Sequence, residues 1–261
     1  MDKILKVNNL SVSFKQYTPG LYETNTCVVK DLNIDINPGE VFAVFGASGA
    51  GKSILASAIL DLLPDSATVS GDIVFRGKSI DTWDKLELRQ QIAYIPQSVK
   101  SLNPLLTIKE QVLFNREDKL DLVTNLFTRF GLDISALGMY PHELSGGMAR
   151  RILAITSLVD NPSFIVADEP TPGMDHSSLD VIVDIFNELK KDNKSALVIS
   201  HDIETILKVA DRVAIINDGQ IVEVVDVAAF EGNGSSLGPY TKALWQALPQ
   251  NSFKVVGDTY A

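Results

Sequence analysis

Gly46-Ala47-Ser48-Gly49-Ala50-Gly51-Lys52-Ser53 constrains this chain more than any other segment. It follows an unbroken apolar run, Val41 to Phe45. It precedes Ile54, Leu55, Ala58, Ile59, Leu62 and Leu63 at helical spacing, ending before Pro64. An uninterrupted apolar run is the pattern of a strand covered on both faces of a parallel sheet. A glycine-rich turn from such a strand into a helix lets backbone N–H groups wrap a phosphate, and the helix start adds the positive end of its dipole. The spacing G-x-x-x-x-G-K-[ST] is met at every specified position. It places Lys52 to bridge the β- and γ-phosphates of a nucleotide and the Ser53 hydroxyl to ligate Mg²⁺. The chain reads as an α/β protein built around a phosphate-binding loop (P-loop).

A second chemical signal follows. Phe164-Ile165-Val166-Ala167-Asp168-Glu169 is an apolar strand ending in two carboxylates. Strand ends in open α/β sheets face the crevice where ligands bind. Downstream of a phosphate loop, Asp168 is placed to hold Mg²⁺ and Glu169 to polarise an attacking water as general base.

The rest of the chain frames these segments. Ile4, Leu5, Val7, Leu10, Val12 and Phe14 alternate, and Val28, Leu32, Ile34 and Ile36 alternate again, giving a β-rich start. Strands are expected over 69–75, 91–95, 196–199 and 213–216. Helices are expected over 148–158 and 179–189. The stretch 108–137 is helical in pattern, with Leu122, Leu126 and Phe130 on one face and Gly131 as its stop. Positions 232–238 read as a link to a short C-terminal tail.

Composition narrows the partners. With 261 residues the chain is long enough to bury a large core. Its net charge of −10 makes phosphate backbones and anionic lipid poor partners, so no nucleic-acid ligand is expected. Cys27 is the single cysteine, which excludes an internal disulfide and a multi-cysteine metal site. The first fourteen residues contain no apolar signal core, and no run reaches the ~18 apolar residues of a membrane helix. Any membrane role then comes through other subunits.

Leu144-Ser145-Gly146-Gly147-Met148 stands between the phosphate loop and the acidic pair. This set resembles the ATP-binding-cassette (ABC) transporter ATPases over nearly the whole chain. The resemblance implies an ABC nucleotide-binding domain over 1–230, with a β-rich N-terminal subdomain and an inserted helical subdomain at about 98–158. A short tail then covers 231–261. Ser145, Gly146 and Gly147 look like the signature that completes the ATP site of a partner subunit. A serine, glycine N–H groups and a helix start form a second anion cradle. Gln97 resembles the glutamine that senses Mg²⁺ and the γ-phosphate, and His201, after Val198-Ile199-Ser200, resembles the switch histidine. Phe14 resembles the aromatic residue stacked on adenine, with Tyr17 a near alternative. Asp175 resembles the aspartate of the inter-subunit loop. Here Pro172-Gly173-Met174 departs from the family's usual Ser-Ala-Leu.

The resemblance also implies a branch. Ser101 to Ile108, Tyr140-Pro141-His142-Glu143, Met148 and Gly238 to Leu244 look like the oligopeptide, dipeptide and nickel importers. The chain lacks the long cysteine-bearing extension of many peptide-importer subunits, which tilts the reading toward nickel or a metal chelate. A dipeptide or oligopeptide importer is the alternative, and a soluble ABC ATPase acting outside transport is the reading from another class. The implied assembly is a head-to-tail dimer with a second, different ATPase. It adds two membrane permeases and, indirectly, an extracytoplasmic binding protein. ATP and Mg²⁺ are the implied cofactors, and the cytoplasmic face of the membrane the implied location.

Overall fold

The structure, a computed structural model, describes residues 2–18, 22–169, 176–230 and 234–247. Two long strands open the chain, β1 (Leu5–Thr18) and β2 (Tyr22–Ile36), followed by β3 (Val41–Gly46) and α1 (Lys52–Ile59). Then come β4 (Ala67–Phe75), β5 (Lys78–Ser79), α2 (Lys85–Gln91) and β6 (Ile92–Ile95). A helical stretch holds α3 (Ile108–Leu113), α4 (Leu120–Arg129) and α5 (Gly146–Leu158). The chain continues with β7 (Phe164–Asp168), α6 (His176–Lys191), β8 (Ser195–Ser200) and α7 (Ile203–Val209). It closes with β9 (Arg212–Asn217), β10 (Gln220–Asp226) and α8 (Pro239–Gln246).

The strands form two sheets. The first runs β2-β1-β4-β5 and is antiparallel throughout. The second runs β10-β9-β3-β8-β7-β6, parallel except for β10. All six residues of β3 are buried, as expected of a central strand covered on both faces. Alternate residues of β3 serve different layers. Phe42 and Val44 pack with the first sheet and α1. Val41, Ala43 and Phe45 pack with the helices of the opposite face, including α4, α5 and α6.

The helical stretch departs from the sequence expectation. The pattern over 108–137 is not one helix: α3 stops at Leu113, and Phe114 and Asn115 take left-handed φ values of 41° and 63°. Asparagine tolerates that region, and no L-residue continues a right-handed helix from it. The buried face of α4 is Val123, Leu126 and Phe127, with Phe130 behind them, while Leu122 is exposed. Gly131, with φ 65°, does follow the helix end. Arg129 on α4 donates to Glu188 at 3.0 and 2.9 Å and to Asp192 at 2.9 Å, tying α4 to α6.

Residues beyond 230 return to the core. The carboxylate of Glu223 on β10 accepts the Gly238 N–H at 2.9 and 3.1 Å and also the Thr241 hydroxyl, capping α8. Trp245 meets Phe230 edge-on, with ring centroids 5.4 Å apart. No helix among the described residues is long and apolar enough to cross a membrane.

Removing this cap leaves a helix start without its acceptor, a loss of about 1–2 kcal/mol. Glu223→Ala is expected to lower the melting temperature by a few degrees. In a Trp83→Phe background it should also red-shift the emission of Trp245. An unchanged spectrum would show that α8 stays docked without Glu223.

Candidate nucleotide site

Parallel pairing aligns the candidate residues before any side chain is considered. Phe45 pairs with Ser200, Asp168 with Ile199, Ile95 with Ala167 and Gly46 with Ile216. The carboxyl ends of β3, β6, β7 and β8 therefore lie along one edge, and the phosphate loop, Gln97, Glu169 and His201 follow them directly.

The glycines of the loop have identifiable reasons. A Cβ at Gly46 would stand 2.4 Å from the Ile216 carbonyl oxygen, so only glycine fits against β9. Gly51 takes φ 95° at the start of α1. Lys52 is 5% exposed, and its ammonium donates to the carbonyls of Gly46 at 2.8 Å and Ala47 at 2.9 Å. Burial pushes its pKa down, and the charges of Glu169 and Asp168 oppose that shift. Ser48, Gly49, Gly51, Lys52 and Ser53 line a cavity of about 210 Å³, completed by Val28, Ile54 and Glu169. A larger cavity, about 750 Å³, opens at the seam of α4 and α6 around Arg129, Arg151 and Glu188, away from this chemistry. The site follows from its donors and carboxylates, not from cavity size.

Asp168 ends β7 with a buried Oδ1 that has no hydrogen-bond partner. Burial raises its pKa, the Ser53 hydroxyl lowers it, and the neighbouring Glu169 charge raises it further. An orphaned carboxylate oxygen beside a hydroxyl is the donor set of a hard cation that takes its remaining ligands from phosphate and water. Among the described residues no cluster of three or more acidic, histidine or cysteine side chains forms a self-sufficient metal site. The pair fits an ion that arrives with a polyphosphate.

Glu169 adopts φ 48°, an uncommon conformation for this residue, while its N–H donates to the Ile199 carbonyl at 2.7 Å. Its Oε2 meets Nδ1 of His201, whose side chain is 60% exposed. The acid and the histidine thus come together across the ends of β7 and β8. Gln97 is exposed, two residues beyond the end of β6.

Other candidates lie apart. Ser145 caps α5 by accepting the Met148 N–H at 3.3 Å, and a Cβ at Gly146 would meet nothing within 4 Å. Ser145, Gly146 and Gly147 do not line the cavity over the phosphate loop. Phe14 is half-buried against the core of the first sheet and is also absent from the cavity wall. Asp175, with Pro172-Gly173-Met174, lies outside the described residues, as does the side chain of Tyr17. Val28 was not legible as a site residue: an aliphatic at an alternating strand position reads as core.

A family profile described as ABC transporter matches residues 29–172. The oligopeptide transport ATP-binding protein AmiF of Streptococcus pneumoniae is 34% identical over 95% of this chain and 82% of its own length. The dipeptide transport ATP-binding protein DppD of Bacillus subtilis is 33% identical over 96% of this chain and 78% of its own. The uncharacterized ABC transporter ATP-binding protein YejF of Escherichia coli is 35% identical over 94% of this chain, which spans 49% of that relative. Among solved structures, CbiO1 of Clostridium perfringens, part of the ABC transporter complex cbiONQ, superposes with a TM-score of 0.76 and 27% identity. The match covers 94% of this chain and all of that one. A dimeric ATP-binding cassette bound to ADP and phosphate, MJ0796, superposes with a TM-score of 0.69 and 25% identity, over 85% of this chain and 98% of its own.

Because burial raises the Asp168 pKa, the folded state disfavours its charged form. That penalty is absent at low pH and develops as pH rises through the carboxylate's titration. Asp168→Asn is therefore expected to melt above wild type at pH 7.5 without divalent metal, with the difference shrinking as pH falls. Added Mg²⁺ with a nucleotide should stabilise wild type more than the variant. Equal melting at pH 7.5 would refute the buried-charge account.

Proposed function

Since this chain belongs to the ABC transporter family, we propose that it is an ATP-binding and ATP-hydrolysing subunit that powers a peptide importer. The observation that carries this reading is the meeting of Lys52, Ser53 and Glu169 around one cavity, with the unpartnered Oδ1 of Asp168 beside Ser53.

In this reading the N–H groups of residues 46–53 and the start of α1 cradle the β-phosphate of ATP, and Lys52 leaves its two loop carbonyls to bridge the β- and γ-phosphates. Ser53, Asp168 and Gln97 would hold Mg²⁺, which, when bound, would neutralise charge on the phosphate oxygens. Glu169 accepts a proton from water as the water oxygen bonds to the γ-phosphorus and the bond to the bridging oxygen of ADP breaks. His201 steadies Glu169 and contacts the γ-phosphate. Phe14 supplies an adenine-stacking surface at the margin of the first sheet.

Ser145, Gly146 and Gly147 act on a partner. They stand outside this chain's own cavity, and the open space at Gly146 gives that glycine no reason within the chain. Two such subunits, head to tail, close each ATP between one phosphate loop and the other's α5 start. Asp175 belongs to that seam. A second ATPase of different sequence, two permeases and an extracytoplasmic binding protein complete the assembly, held at the cytoplasmic face of the membrane.

The relatives shift the reading of the cargo. AmiF and DppD are described as oligopeptide and dipeptide transport proteins, which favours the peptide reading over the nickel reading that the short C-terminal tail suggested. An ATPase subunit does not touch cargo, so tail length carries less weight than similarity along the chain.

Glu169→Gln keeps the shape of the side chain and removes the base. The variant is expected to bind ATP within about twofold of wild type and to lose about 10²–10⁴-fold in turnover. Normal turnover would refute the assignment. For the assembly, tagged protein is to be purified from detergent-solubilised membranes of its host and its partners identified by mass spectrometry. Two permeases with a second ATPase support the importer, and an attached peptide-binding protein supports the cargo. Recovery of ribosomal or DNA-repair proteins alone would favour a soluble ABC ATPase instead.

A further inference from the structure

β9 lies beside the phosphate loop, and directly after it the chain turns through Asp218 and Gly219 into β10. That turn reaches β2. The Lys30 N–H donates to the Gly219 carbonyl at 2.8 Å, and the Lys30 ammonium pairs with Asp218 at 2.8 Å. Gly219 has φ 77°, and a Cβ there would stand 2.3 Å from the Val28 carbonyl oxygen and 3.0 Å from its carbon. Gly51 presses on the same carbonyl from the phosphate loop: a Cβ at Gly51 would stand 2.9 Å from that oxygen. The Val28 peptide is thus held between two glycines from segments far apart in sequence, and each side admits only bare backbone. Val28 itself lines the cavity shared by Lys52, Ser53 and Glu169.

We propose that Gly219, supported by the Lys30–Asp218 pair, is a positioning residue for nucleotide binding. The β9–β10 turn clamps the Val28 peptide against Gly51 and so sets one wall of the nucleoside triphosphate cavity. This rests on the reading of that cavity as the ATP site. Gly219 does not line the cavity, so it acts on the shape of the site and not on bond making. A displaced wall weakens substrate and transition state alike, which raises Kd and KM and leaves kcat in place.

Gly77 supplies the control. It sits in the β4–β5 turn at φ 78°, and a Cβ there meets nothing within 4 Å. Gly77→Ala and Gly219→Ala carry the same backbone strain, and only the second collides with Val28. Both are to be compared with wild type by calorimetric ATP binding in EDTA, where nothing turns over, and then by steady-state hydrolysis with Mg²⁺. Gly219→Ala is expected to bind ATP about tenfold more weakly than Gly77→Ala, with kcat within about twofold of wild type. Equal affinity in the two variants, or a fall in kcat at unchanged KM, overturns the clamp. If circular dichroism shows that Gly219→Ala does not fold, the double variant Lys30→Ala/Asp218→Ala decides. A weakening of about threefold supports the clamp, and wild-type affinity overturns it. Wild type that binds no ATP overturns the nucleotide-site reading along with the clamp, a result distinct from a variant that binds as tightly as its control.

Discussion

Parallel pairing of β3 with β8 on one side and β9 on the other is the constraint on which the rest depends. A parallel strand covered on both faces needs apolar side chains in both directions, and β3 has them at every position. The same pairing sets the ends of β3, β6, β7 and β8 at one edge. The carboxylates of Asp168 and Glu169, the imidazole of His201 and the phosphate loop are brought together by backbone register, before any contact among them forms. A change in that register would separate the residues while leaving each local motif intact.

The site is where local preferences are broken. Asp168 buries an oxygen without a partner, Glu169 takes a left-handed φ, and Lys52 turns its ammonium onto its own loop. The first two are unfavourable for the chain alone, and the third satisfies a buried charge with backbone carbonyls. The surrounding core, with Val166, Leu197 and Ile199 fully buried, is what holds these features in place. The start of α5 shows the converse. It is capped by Ser145 within the chain, and a Cβ at its exposed Gly146 would meet nothing within 4 Å.

The helices between β6 and β7 join the core in two ways. α5 contributes Ile152, Leu153 and Ile155 to the same apolar cluster as Ile182 and Phe186 of α6. α4 adds Val123, Leu126 and Phe127 to that cluster and is also tied to α6 by the charge-assisted bonds of Arg129, across a seam that holds a cavity of about 750 Å³. Apolar packing gives this layer its firm contact, and the partly exposed ion pairs of Arg129 add one that responds to salt.

Much of the architecture was legible because it rests on local chemistry. The glycine spacing of the phosphate loop, the apolar runs of β3 and β7, and the acidic pair declare themselves in single segments. So does the cap at Ser145. Less was legible where geometry depends on distant chain. The break at Phe114 and Asn115 divides what the apolar pattern suggested was one helix, because helical spacing persists across a turn that leaves the helix. Leu122 shared that spacing and faces solvent, since the rotation of α4 is set by what it packs on. The strand β10 and the helix α8 went unanticipated because their anchor, Glu223, is an ordinary exposed-type residue until it meets Gly238 and Thr241. The sequence by itself determined a glycine-rich turn between a buried strand and a helix start, since hydrogen-bond donors and backbone freedom there are local properties. Only the tertiary structure decided which carboxylate lies buried and unpaired, and that Val28, an aliphatic like many others, is pressed between Gly51 and Gly219. Those facts depend on segments meeting from separate parts of the chain, and no local pattern encodes such a meeting.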